Sequence, residues 1–106
     1  MSNKHDILKM IKRLVDKNAP LSEAYLYGSQ ARGDAEELSD WDILILLNTS
    51  EVSFDLEKDF LDKFYELELK TGEIFSPLIY SKENWNSNYP ETPFYESIQR
   101  EGIKIK

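Results

Sequence analysis

Residues 25–47 read YLYGSQARGDAEELSDWDILILL, and the way this stretch divides decides the fold. Its first residues belong to a short aromatic and apolar run over 23–27, which reads as a strand. Gly28 and Ser29 end that run, and a serine there can N-cap a short helix through Gln30, Ala31 and Arg32. After a polar loop, Ser39-Asp40-Trp41-Asp42 leads into Ile43-Leu44-Ile45-Leu46-Leu47. A continuous apolar run of that length suits a central strand covered on both faces.

The chemistry lies in how these pieces meet. Asp40 and Asp42 are two apart at the head of a strand, so their side chains point to one face. Two like charges on one face repel, and packing gives no reason to put them there. A hard divalent cation such as Mg²⁺ supplies one, because it takes oxygen ligands and bridges one or two carboxylates to substrate phosphates. Gly28 and Ser29 suit the phosphate side. Glycine lets backbone approach a ligand, a helix N-terminus aims free N–H groups at an anion, and Ser29 adds a hydroxyl donor.

G-S-x-A-R-G followed by S-D-x-D and an apolar strand resembles the signature of the nucleotidyltransferase superfamily related to DNA polymerase beta. The residues that carry the resemblance are Gly28, Ser29, Ala31, Arg32, Gly33, Ser39, Asp40 and Asp42. Within the superfamily the chain is most similar to the minimal nucleotidyltransferases, small proteins often paired with a HEPN-domain partner in toxin–antitoxin systems. Gly-Ser alone is an ordinary turn and Asp-x-Asp alone an ordinary strand edge. Their order, with apolar strands on either side, is what makes the match specific.

With 106 residues, the chain reads as one nucleotidyltransferase domain spanning 1–106. It has 13 basic against 20 acidic residues, a net charge of −7, which argues against a nonspecific grip on nucleic acid. A local positive spot such as Arg32 near phosphates remains open. The absence of cysteine excludes disulfides and thiolate metal sites. The first fifteen residues are interrupted by charges and do not read as a signal peptide, and no stretch approaches membrane-spanning length. The expectation is a soluble cytoplasmic protein without a membrane partner; an oligomer is compatible with the sequence.

Ile7, Leu8, Ile11, Leu14 and Val15 predict an amphipathic helix over 4–17, with His5 solvent-facing at its polar start. Arg32 has two readings, a helix C-terminal cation or a phosphate contact. Asp34, Glu36 and Glu37 read as solvated loop acids rather than ligands. Trp41 points away from the aspartates and reads as a core anchor. A long helix follows over 53–70, with Ser53 as N-cap, a Leu56–Phe60–Phe64–Leu67 stripe and Gly72 past its end. Residues 72–80 predict a third strand, where Pro77 argues for a bulge or the sheet edge. Residues 81–89 are polar apart from Trp85. Thr92-Pro93 opens a last helix that Gly102 ends, and Ile103-Lys104-Ile105 adds a short edge strand.

The expected fold is α/β (or α+β), a small mixed sheet with helices packed on it, like the polymerase beta palm. The resemblance implies a Mg²⁺-dependent nucleotidyltransferase: transfer of a nucleoside monophosphate, in the first instance AMP from ATP, to an acceptor hydroxyl on a HEPN-like partner protein, with release of pyrophosphate. It implies two Mg²⁺ held by Asp40 and Asp42, nucleotide binding by Gly28, Ser29 and Arg32, and a third acidic residue on the neighbouring strand. Glu73 is the only acid there, so it takes that catalytic and metal-binding role or is a solvated acid after a helix-ending glycine. Two alternatives are an antitoxin-type binding module with an idle or weak site, and a small-molecule (antibiotic) nucleotidyltransferase.

Overall fold

The computed structural model describes residues 3–36 and 39–106. The elements run α1 (Lys4–Asn18), β1 (Glu23–Tyr27), α2 (Gly28–Arg32), β2 (Trp41–Leu47), α3 (Phe54–Thr71), β3 (Phe75–Ser81), α4 (Lys82–Asn88), α5 (Pro93–Glu101) and β4 (Ile103–Lys104). The four strands form one mixed sheet in the order β3-β2-β1-β4, so the expected small mixed sheet with helices packed on it is what the chain builds. β2 is antiparallel to β1 and parallel to β3, with α3 as the crossover between the parallel pair. β4 extends β1 on its other side. Pro77 lies on the edge strand β3, where the lost N–H donor removes no ladder bond on the solvent side.

The alternation of β2 sorts the core into two layers. Trp41, Ile43, Ile45 and Leu47 are buried with Ile7, Ile11 and Val15 of α1 and Phe60 and Phe64 of α3. Leu44 and Leu46 are buried on the opposite face with Trp85 of α4 and Ile98 of α5. Both faces of β2 are therefore covered, as its unbroken apolar run requires. Trp41 is a core anchor on the α1/α3 side, and His5 is exposed.

The caps follow the sequence closely. The hydroxyls of Ser53 and Thr92 accept from the N–H groups of Leu56 and Tyr95, and Gly72 ends α3 at φ 77°, a left-handed conformation that glycine adopts without strain. α4 is an addition to the sequence reading, which assigned no element to this polar stretch: Ser81 accepts from the Asn84 N–H and starts a helix. Trp85 holds it down, stacked on Tyr80 and Tyr89 and edge-on to Phe94. β3 is also displaced from its expected span, beginning at Phe75 rather than Gly72. No helix among the described residues is long and apolar enough to cross a membrane.

Candidate active site

The site forms at the N-terminal head of β2. Even-numbered residues of that strand face α4 and α5, so Asp42 lies on the same sheet face as Leu44 and Leu46. The pairing register sets a row across three strands, with Tyr27 of β1 opposite Asp42 and Ser76 of β3 on its other side. Asp40 stands just ahead of the strand, exposed, and its Oδ2 accepts a 2.8 Å hydrogen bond from Ser76 Oγ. Asp42 is half-buried.

Gly28 brings the turn after β1 against this acid. Its φ is 74°, and a Cβ placed on it would overlap Asp42 Oδ2 and lie 3.2 Å from Asp42 Cγ. Both the backbone conformation and the space therefore favour glycine. α2 starts at Gly28 itself, so Ser29 lies inside the helix and is not its N-cap; extended Tyr27 takes that position and contributes no side-chain cap bond. The reason is that the chain turns one residue earlier than the Ser-cap pattern implies, at the glycine. Among the described residues no side chain caps the first turn of α2, which lies beside the Asp42 carboxylate.

Electrostatics agree with this geometry. Burial, reinforced by the neighbouring Asp40 charge and opposed by Arg32, pushes the Asp42 carboxyl above its ordinary value. Burial, with the Asp42 charge nearby, pushes the Tyr27 phenol up to about 12, so it stays a neutral donor. Tyr27 packs edge-on against Phe94 at 5.2 Å, which fixes its ring. Arg32 lies in the last turn of α2, as the helix-terminal reading expects. It also bonds Asp34 at 3.2 Å, reaches Glu101 of α5 at 3.6 Å, and projects positive charge onto Asp42. Asp34 and Glu36 are exposed, and Glu37 lies outside the described residues.

Glu73 stands apart from this group. It was expected on the third strand, but β3 begins two residues later and Trp41 N–H donates to the Ile74 carbonyl at 2.9 Å. The parallel register puts Ser76 beside Asp42 and leaves Glu73 in the turn ahead of the sheet, half-buried, its own N–H bonded to Thr71 Oγ1. Among the described residues no three acidic, histidine or cysteine side chains come together as a metal site. Sequence reasoning missed Tyr27 and Ser76. The register could have revealed both, because a strand parallel to β2 must present a residue alongside Asp42, but strand boundaries are not written in composition.

The donor set suits a hard cation. Asp40 and Asp42 present carboxylate oxygens on one face, with the Ser76 hydroxyl between strands and the first turn of α2, uncapped by any side chain among the described residues, opposite for a phosphate. Mg²⁺ bound jointly by protein and triphosphate needs no more than one or two carboxylates.

The chain matches known proteins over nearly its whole length. The family model described as "Polymerase beta, Nucleotidyltransferase" matches residues 9–105. Two proteins of Methanocaldococcus jannaschii, named "Putative protein adenylyltransferase MJ0141" and "Putative protein adenylyltransferase MJ0604", are each 32% identical over 103 residues. Those alignments cover 96% of this chain and 90% and 96% of the two relatives. A solved structure titled "Crystal structure of the toxin-antitoxin with AMP-PNP" superposes with a TM-score of 0.68 at 19% identity, over 93% of this chain and 72% of that one, a likeness of fold. With this match over the Gly-Ser turn, the paired aspartates and the sheet that carries them, the chain belongs to the polymerase beta nucleotidyltransferase family.

Proposed function

We propose that this protein transfers AMP from ATP to a hydroxyl on a partner protein, releasing pyrophosphate. The observation that carries the reading is the contact between Gly28 and Asp42: a phosphate-ready turn closes on a metal-ready carboxylate at a point where a Cβ would displace the carboxylate. The adenylyl donor and protein acceptor are supported by the two relatives named as protein adenylyltransferases. A HEPN-like partner is what the sequence resemblance implies.

The residues divide the work as follows. The first-turn amides of α2 and the Ser29 hydroxyl orient the β- and γ-phosphates. Asp40 and Asp42 would hold Mg²⁺, which when bound neutralises triphosphate charge and lowers the pKa of an attacking hydroxyl. Ser76 holds Asp40 in one rotamer through the 2.8 Å bond. Arg32, already engaged by Asp34 and Glu101, tempers the repulsion between the aspartates and is within electrostatic reach of bound phosphate. The acceptor oxygen bonds the α-phosphorus as the bond to the pyrophosphate oxygen breaks. The protein supplies position and preorganised charge.

A second reading, an antitoxin-type module that acts by binding, draws support from one feature: the expected third carboxylate does not stand with the other two. One experiment separates the readings. The protein, Mg²⁺ and labelled ATP are incubated with the product of a neighbouring HEPN-like reading frame, and melting curves are recorded with and without Mg-ATP. Label on the partner together with a thermal upshift supports transfer; about 2.7 kcal/mol of stabilisation is expected at a hundredfold excess over Kd. No upshift with any of the four NTPs refutes it. An upshift without label supports the binding module.

A further inference from the structure

The α3 helix carries an apolar row that the core does not use. Phe54, Leu61, Tyr65 and Leu69 recur at seven- and four-residue spacings, so they lie along one side of the helix, over about 22 Å at 1.5 Å per residue. They are 77%, 41%, 60% and 71% exposed, whereas Phe60 and Phe64 on the adjoining side are buried. One more exposed apolar side chain, Leu78, lies on the β3 edge. Leu61, Pro77 and Leu78 line one cleft of about 190 Å³, which joins helix and strand. A contiguous apolar surface of this kind, rimmed by polar residues, marks an interaction site.

Charge identifies the occupant. By helical spacing, Asp55, Asp59, Asp62 and Glu66 border the row on its solvent side, and Glu57 and Glu68 border it on the β3 side. Only three lysines offset these six carboxylates on α3, in a chain whose net charge is −7. Lys58–Asp62 and Lys63–Asp59 pair at 2.9 Å, and Glu68 accepts from the Phe75 N–H; Asp55, Glu57 and Glu66 have no ion-pair partner among the described residues. A second copy of this chain would set acidic rims against each other. An apolar ridge flanked by Lys and Arg would meet complementary charge.

We infer that the α3 row and the adjoining β3 edge form the docking surface for a basic protein partner that inserts an amphipathic helix. The inference rests on the reading that the acceptor belongs to another protein. It gives that reading a geometry, because β3 runs from this surface to Ser76, whose hydroxyl bonds Asp40.

The test uses the whole chain without Mg²⁺ or nucleotide, so the transfer reading is not at stake; the Mg-ATP melting curve reads that separately. The probe is a synthetic 18-residue helix with leucines on one face and lysines on the other. Its control is a peptide of the same composition scrambled to have no face. Amide shifts on titration should centre on α3 between Phe54 and Leu69 and on β3, and the faced peptide should bind at least tenfold tighter than the scrambled one. Leu61→Ser with Leu69→Ser should weaken it at least tenfold. So should Asp55→Lys with Glu66→Lys, which leaves every apolar side chain in place if the first variant folds poorly. Equal affinity for both peptides, shifts centred elsewhere, or concentration-dependent dimerisation of the free protein that Leu61→Ser abolishes would each overturn the proposal.

Discussion

Replacing Gly28 by alanine tests the contact on which the site depends. Two costs arise. Alanine at φ 74° carries a left-handed penalty of about 1–2 kcal/mol. The new methyl also overlaps Asp42 Oδ2, with Cγ at 3.2 Å, so the carboxylate must leave its rotamer at about 1 kcal/mol more. Loss of chain entropy in the unfolded state returns about 0.5 kcal/mol, for a net destabilisation of about 2 kcal/mol. With an unfolding entropy of about 2.1 cal/mol/K per residue, a chain of 106 residues loses about 9 °C in Tm. The two costs separate in a double-mutant cycle. In an Asp42→Ala background the oxygen and Cγ are gone and only the backbone penalty remains, so Gly28→Ala should then lower Tm by about 5 °C. Calorimetric melts of the four proteins supply the numbers. Equal drops in both backgrounds would show that the carboxylate does not rest against Gly28. No drop in either would refute the left-handed turn itself.

Three further outcomes are expected. Asp42→Asn should abolish transfer and Mg-ATP stabilisation yet leave the nucleotide-free protein at least as stable as wild type at pH 7. A raised carboxyl pKa makes the unfavourable term absent below the unfolded value of about 3.9 and fully present above the folded one, so the mutant's advantage should grow as pH rises through the acid range, read from Tm against pH. Because Ser76 rather than Glu73 stands beside Asp42, Glu73→Gln should change turnover less than twofold; a loss of tenfold or more would return Glu73 to the site. Ser76→Asp should tighten Mg²⁺ binding to the nucleotide-free protein, measured by titration calorimetry, and unchanged affinity would remove position 76 from the metal's surroundings.

The parts of this fold that show in the sequence are those where one physical signal dominates. The unbroken run Ile43–Leu47 announced a strand covered on both faces, and both faces are covered. Ser53, Thr92 and Gly72 declared helix ends because capping is local chemistry. α4 was hidden, since the Asn and Ser of KENWNSN are weak helix formers and only Trp85, packed on Leu44 and Leu46, makes a helix of them. At the site, Gly28, Asp40 and Asp42 were legible as a motif. The misplacement of Glu73 was a boundary error: from composition β3 extends back to Gly72, whereas the ladder with β2 begins only at Phe75. A strand start three residues later leaves Glu73 in the turn and sets Ser76 beside Asp42.

The two halves of the site belong to parts of the molecule that open on different timescales. β2 is hydrogen-bonded on both sides and five of its seven residues are buried without interruption, so its amides should exchange only when the whole chain unfolds. α2 has no buried residue and is tied to its surroundings by peripheral links, Lys4 to the Gln30 carbonyl, Gln30 to the Ser39 carbonyl and Arg32 to Glu101. Its amides should exchange by local opening, orders of magnitude faster. A ligand that spans Asp42 and the first turn of α2 fastens the loose half to the fixed one. Its binding is therefore visible as slowed deuterium uptake in α2 with none gained in β2, a signature that a ligand on any other face of the protein cannot produce.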